Sequence, residues 1–212
     1  MSSLLIIGAG GHGKVAADIA LESGDWQQVA FLDDKHPTMQ SCFGLPVLGA
    51  ISQANEFISD YPDCLVAIGD NRLRVELLCS LQQLGFSAVT LIHSSAVVSR
   101  SAIIDAGSVV FANAVIQADA HIGAASIINT AASVDHDVRL GEGVHVSPGA
   151  HLGGGAMVGD CTWIGIGAVV REYVRLGDNV MLGAGAAAVS DISSGVLAIG
   201  VPAKVKAARS EW

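Results

Sequence analysis

Charged and aromatic side chains are scarce in this 212-residue chain. Only 15% of residues are Asp, Glu, Lys or Arg, and the aromatics are five Phe, three Trp and two Tyr. Hydrophobic residues make up 51%, which excludes a disordered chain and allows a core. No apolar run reaches the ~18 residues of a membrane span. The start Leu4-Leu5-Ile6-Ile7 is too short for a secretion signal and runs into glycines, so the expectation is a cytoplasmic protein. Basic residues number 11 against 20 acidic ones, a formal net charge of −9. That balance disfavours nucleic acid and anionic membrane as partners. It says little about a nucleotide, because backbone amides bind phosphate without a basic surface. The four cysteines, Cys42, Cys64, Cys79 and Cys161, have no C-x-x-C spacing. They argue against a zinc or redox site and read as buried reduced thiols.

What the chain does contain is a repeat. From Ile92 through Val98 and Ile104 to Leu182, every sixth residue is Ile, Leu or Val, sixteen in register with no insertion. Four residues after each of these comes Ala, Ser, Thr or Val, and glycine often follows the aliphatic residue directly, as at Gly123, Gly141 and Gly165. Six residues suit a short strand plus a tight corner. The aliphatic fills the interior, the small residue fits where the chain bends, and glycine tolerates unusual corner dihedrals. Three such sides close a coil of eighteen residues, and stacked coils pair as parallel strands. Residues 92–187 give a little over five coils. A coiled coil would need a period of 3.5, and βαβ units would need helical stretches.

Residues 1–87 follow another logic. Leu4–Ile7 predicts a buried strand, Lys14–Ser23 a helix, Val29–Leu32 a second strand, Leu65–Ile68 a third and Arg72–Leu84 a helix stopped at Gly85, with Ala88–Ile92 as a further strand. This alternation predicts a small parallel α/β sheet. Gly8-Ala9-Gly10-Gly11-His12-Gly13 matches G-x-G-x-x-G after a strand and before a helix, and Asp33 lies twenty residues beyond Gly13. Fewer than ninety residues hold only one mononucleotide-binding half, so a single nucleotide fits better than NAD. His12 argues for function, because a packing turn has no use for a bulky polar residue.

The two halves together resemble the bacterial sugar O-/N-acyltransferases of the sialic acid O-acetyltransferase type, including those acetylating UDP-linked 4-amino sugars. Gly8–Gly13, Phe31-Leu32-Asp33-Asp34, Ala67-Ile68-Gly69-Asp70-Asn71, Leu91-Ile92-His93, Asn129-Thr130, His136-Asp137, His145-Val146-Ser147 and Gly200-Val201-Pro202-Ala203-Lys204 carry the resemblance, which extends over nearly the whole chain. It implies a small N-terminal α/β (half-Rossmann) domain at 1–90 and a left-handed parallel β-helix at 91–190. A C-terminal extension follows at 191–212. The hand comes from the resemblance, since the crossover rule favours the right hand.

The resemblance further implies acetyl-CoA as co-substrate, no metal, a homotrimer, and a nucleotide-sugar acceptor touched by Gly10, Gly11, His12, Asp33, Asp34 and Gly69. His136 would be the general base, with Asp137 where family members often have Glu. Asn129, His145, Ile166 and Ala184 would line the acetyl-CoA site, Ala184 standing where glycine is expected.

Coil arithmetic places His136 between Ala118 and Gly154, and His145 under Trp163, half a coil from His136. Half a coil means different sides of one prism, so the two share a site only between neighbouring subunits. His121 and His151 read as solvated, and the three-histidine spacing of zinc-binding relatives is not found. Transfer to an amine needs a base with a pKa near neutrality, which histidine supplies. A nucleotide-sugar N-acetyltransferase is the expectation. A sugar O-acetyltransferase and a non-catalytic nucleotide-sugar-binding scaffold remain as alternatives, and only the scaffold has no need of His136.

Overall fold

The computed structural model describes residues 2–208, which divide into two compact units, one ending at Ser94 and the other beginning at Ser95.

In the first unit, β1 (Ser3–Ile7), β2 (Gln28–Leu32), β4 (Leu45–Gly49), β5 (Asp63–Val66) and β6 (Ser87–Ala88) form a parallel sheet in the order β4-β2-β1-β5-β6. A short strand, β3 (Ser41–Cys42), adds antiparallel to β4 at the edge. Leu4, Leu5, Ile6 and Ile7 of the central strand are wholly buried, as a parallel strand covered on both faces must be. Helix α1 spans Gly11–Ser23 and ends at Gly24 in the left-handed conformation. Helix α2 spans Asn71–Gln83, with the Asp70 side chain accepting the Leu73 N–H at 2.9 Å. The sequence places α1 three residues late, because its first turn is built from the glycine run. The β3–β4 hairpin has no counterpart in the sequence reading. Ala88–Ile92 resolves into β6 and a separate strand at Leu91–Ile92.

The second unit is a left-handed parallel β-helix. Two-residue strands recur every six residues from Val97–Val98 to Ala187–Ala188 and stack into three faces. Partners are eighteen residues apart throughout: Val115 with Ser133, His121 with Arg139, His145 with Trp163. Val110, Ile122, Val134, Val146, Ile164 and Leu182 point inward and are fully buried. Val196–Ile199 continues the face after Met181–Leu182, and Lys204–Ala208 returns antiparallel to it. Residues 209–212 of the expected extension lie outside the described residues.

The corner glycines behave differently from the expectation. The left-handed conformation falls three residues after the inward aliphatic, at Asn113, Asp119, Ala125, Asp137 and Gly149 among others. The glycine directly after the aliphatic is required by close approach of the next coil. A Cβ on Gly165 would sit 2.6 Å from the Ala184 nitrogen and the Leu182 oxygen. The thiols also depart in part from the expectation: Cys42 and Cys64 are buried, but Cys79 on α2 is exposed.

Gly165→Ala should therefore cost about 1–3 kcal/mol, a fall of several degrees in Tm. Gly149→Asn, at φ +63° with open space beside it, should move Tm by less than about two degrees, because Asn tolerates this region. Thermal denaturation followed by circular dichroism compares them. Equal losses would mean that corner dihedrals, not coil spacing, set the requirement for glycine.

Candidate active site and nucleotide cradle

Three loops follow the carboxyl ends of adjacent strands in the first unit: Gly8–Gly13 after β1, Asp33-Asp34 after β2 and Ala67–Asp70 after β5. Open α/β sheets bind ligands at such edges. A Cβ on Gly10, Gly11 or Gly69 would meet nothing within 4 Å, so these three face open space. Gly13 does not: a Cβ there would strike the Gly8 carbonyl, and this glycine serves close helix–strand packing. Asp33 accepts from the Ala9 N–H at 2.8 Å and from the Lys35 N–H at 2.9 Å. Asp34 accepts from the Ile51 N–H at 3.1 Å. Both carboxylates thus shape the loops they belong to.

Sequence reasoning missed Arg74. Its side chain, 1% exposed, donates to the carbonyls of Ile68 at 2.9 Å and Gly69 at 3.4 Å and to Asn71 Oδ1 at 2.8 Å. A buried guanidinium is tolerated when its donors are met in this way. It holds the loop after β5 in shape. Burial, and then the charge of Arg74, push the His12 pKa down to about 4, so His12 is neutral at physiological pH. Also missed was a cavity of about 360 Å³ beside Gly10 and Gly11, walled by Lys14, Lys35, Met39 and Phe43.

In the second unit, His136 sits in the corner after the strand Ser133–Val134. Its Nδ1 lies 2.8 Å from Asp137 Oδ2, and its backbone N–H donates to Asp135 Oδ1 at 2.8 Å. The imidazole lies over Gly154, where a Cβ would come within 2.6 Å of Cε1 and Nε2. The hydrogen bond to Asp137 raises the His136 pKa above its ordinary 6.5, and Asp135 adds to this. A neutral ring donating Nδ1–H to Asp137 presents Nε2 as a proton acceptor, and the carboxylate stabilises the imidazolium once it forms. A cavity of about 400 Å³ runs beside this corner, lined by Gln117, Ser133, Asp135, His151 and Gly153. His151 Nδ1 lies 2.8 Å from Ser133 Oγ, and His121 Nε2 lies 2.9 Å from Asp105.

Asn129, His145, Ile166 and Ala184 gather elsewhere. Asn129 Oδ1 accepts from the Thr130 N–H at 2.8 Å, so its Nδ2 donates to His145 Nε2 at 3.1 Å. His145, only 9% exposed, is held between this amide and the Trp163 indole, whose centroid lies 4.7 Å away. Trp163 Nε1 in turn donates to Ser147 Oγ at 2.7 Å. Ile166 and Ala184 are exposed, stacked in the corner that ends this face, the Gly185 N–H reaching the Ile166 carbonyl at 2.8 Å. The His136 corner stands opposite that face of the three-sided prism.

A left-handed β-helix with a carboxylate-supported histidine in a corner, joined to an α/β unit with an open glycine cradle, defines a hexapeptide-repeat acyltransferase. Residues 3–81 match the PglD N-terminal domain family. The chain is 40% identical to a perosamine N-acetyltransferase variant from Caulobacter crescentus, solved in complex with CoA and GDP-perosamine, over 97% of both chains with a TM-score of 0.93. It is 45% identical to the acetyltransferase domain of PglB from Neisseria gonorrhoeae FA1090, solved with acetyl coenzyme A, over 96% of this chain and 98% of that one (TM-score 0.92). A UDP-N-acetylbacillosamine N-acetyltransferase of Bacillus subtilis (strain 168) is 39% identical over 107 residues, and the match spans about half of that relative, 47% of each chain. The chain belongs to this family of bacterial nucleotide-sugar N-acetyltransferases.

Asp137→Asn should shift the acid limb of the kcat–pH profile to lower pH. A base at His136 must be neutral to accept a proton, so on that reading the rate rises as pH increases through the His136 pKa, and loss of Asp137 lowers that pKa. A limb that stays in place would take Asp137 out of the pair. Gly11→Val should weaken nucleotide-sugar binding with Tm and acetyl-CoA affinity unchanged. Calorimetry with both ligands checks this, and equal loss of both would make the loop structural.

Proposed function

We propose that this protein transfers the acetyl group of acetyl-CoA to the 4-amino group of a nucleotide-linked amino-deoxy sugar. The observation that carries this reading is the His136–Asp137 pair, exposed in a corner against glycine. The nucleotide-sugar is held by residues 1–90, where Gly10, Gly11 and Gly69 face open space and His12 stays neutral. Acetyl-CoA is held by residues 91–190, with Asn129, His145, Ile166 and Ala184 on the donor side.

The acceptor nitrogen attacks the thioester carbonyl carbon, and its proton passes to His136 Nε2. The tetrahedral intermediate collapses, the C–S bond breaks, and the CoA sulfur leaves as the thiol after taking up the proton. Asp137 keeps the imidazole in the required tautomer throughout. Transfer is direct, without an acyl-enzyme, the simpler mechanism where no Ser or Cys sits in a nucleophile elbow.

The working form is a homotrimer. His136 and the donor residues occupy different corners and faces of one prism, with His145 half a coil from His136, so a complete site draws each from a different subunit. No helix among the described residues is long and apolar enough to cross a membrane. All four cysteines are free, which favours a reducing compartment, the cytoplasm, where the co-substrate is also available.

Thiol release from acetyl-CoA in the presence of a 4-amino nucleotide-sugar tests the reading. His136→Ala should lower kcat by about 10²–10⁴-fold with little change in acetyl-CoA affinity. A rate within threefold of wild type would remove His136 from the mechanism. Light scattering should give the mass of three chains, and a monomer at micromolar concentration would contradict the shared site.

A further inference from the structure

The corner that carries His136 also holds a side chain that the coil ladder does not need. The left-handed position of this corner recurs every eighteen residues, at Asp119, Asp137, Gly155 and Tyr173, with φ of +58°, +60°, +67° and +60°. Asp tolerates this region and glycine favours it, but a bulky ring there is strained. Elsewhere in the β-helix the non-glycine residues in the left-handed corners are Asn, Asp, Ala or Cys, and Tyr173 alone is large. Tyr173 is 73% exposed, so no core contact within the chain compensates for the conformation. Strain of this kind persists where the side chain has another use.

Its placement indicates which use. The Gly155 N–H donates to the His136 carbonyl at 2.9 Å and the Tyr173 N–H to the Gly154 carbonyl at 3.0 Å, so three successive coils stand in fixed register at this corner. The Tyr173 ring folds back over the middle coil. A Cβ on Gly155 would come within 2.6 Å of its Cδ1 and Cε1, as one on Gly154 would of the imidazole. Two adjacent glycines thus carry two rings, the imidazole from the coil before and the phenol ring from the coil after. Glu172, one coil beyond Gly154, is exposed and stands 3.9 Å from Arg171. Along the axis of the β-helix, the gap beside His136 is therefore bounded by Tyr173.

We propose that Tyr173 is the wall that sets the length of the acyl group, leaving room for the methyl of acetyl-CoA and excluding the added methylenes of longer acyl-CoA thioesters. The assignment rests on the acetyl-transfer reading above. His136 Nε2 takes the proton of the attacking amine, so that nitrogen comes within about 3 Å of the ring. The carbonyl carbon it attacks then lies over the glycine pair, and an acyl chain running along the axis meets the Tyr173 ring. One methylene too many in an apolar pocket lowers kcat/KM about 10- to 200-fold. A flat ring held in a rigid corner supplies that limit, and its hydroxyl has no part in it.

Thiol release by the full chain from acetyl-, propionyl- and butyryl-CoA, with a UDP- or GDP-linked 4-amino sugar as acceptor, is the experiment. Wild type should prefer acetyl to butyryl. Tyr173→Gly relieves the strained corner, so its Tm should equal or exceed that of wild type. In this variant the ratio of kcat/KM for acetyl over butyryl should fall about 10- to 200-fold, with propionyl between the two. Tyr173→Phe keeps the ring and should keep the ratio within threefold. A ratio in Tyr173→Gly within threefold of wild type would overturn the wall. Loss of selectivity in Tyr173→Phe would also overturn it, by placing the effect in the hydroxyl, as would a wild type that uses butyryl-CoA as well as acetyl-CoA. Wild-type protein that releases thiol from none of the three donors would overturn the acetyl-transfer reading itself, and the wall with it.

Discussion

The backbone hydrogen bonding between coils, which pairs residues eighteen apart, is the constraint on which the second unit depends. Each two-residue strand is too short to be stable alone. It persists because its N–H groups donate to the coil above, as the His121 amide does to the Val138 carbonyl and the His145 amide to the Thr162 carbonyl. That ladder requires every coil to have the same length. A single inserted residue would move an aliphatic from the interior to a corner, which is why the hexads run without interruption from Val97 to Ala188. Close stacking then demands glycine where one coil's backbone meets the next, as at Gly165.

Function is written onto the positions that this regularity leaves free. Corners project side chains without disturbing the ladder, and His136 with Asp137 occupies one of them. Gly154, one coil on, leaves room for the imidazole. The opposite face holds His145 by stacking and by the Asn129 amide, a rigid and largely buried arrangement suited to binding. In the first unit the same division recurs. The central strands are largely apolar and buried, and the polar chemistry sits in three loops at the carboxyl edge of the sheet, one of them shaped from within by Arg74.

The repeat was legible because its period is set by geometry, and an aliphatic every sixth residue has few other causes. The parallel sheet was legible because buried strands read as continuous apolar runs. His136 and Asp137 were singled out by resemblance, and coil arithmetic placed Gly154 against the ring, where the structure has it. Other features carry no local signature. Ser41-Cys42 is two residues long and ends in Phe43, which is not a hairpin residue by preference. Lys14 and Lys35 are ordinary surface lysines until the fold brings them to one cavity. Arg74 lies in a helix that reads as amphipathic, and only the structure shows its guanidinium turned inward. Corner glycines were legible as glycines but misread in cause, because dihedral freedom and close approach leave the same letter in the sequence.

The central claim is that the imidazole at position 136 takes the acceptor's proton. Chemical rescue tests it most directly. His136→Gly leaves a vacancy over Gly154 that imidazole in solution can enter. Acetyl transfer by this variant should be slow, and should recover in proportion to added imidazole. The dependence on pH should follow the pKa of the free base rather than that of the wild-type protein. A variant that needs no imidazole, turning over within threefold of wild type, would contradict the account.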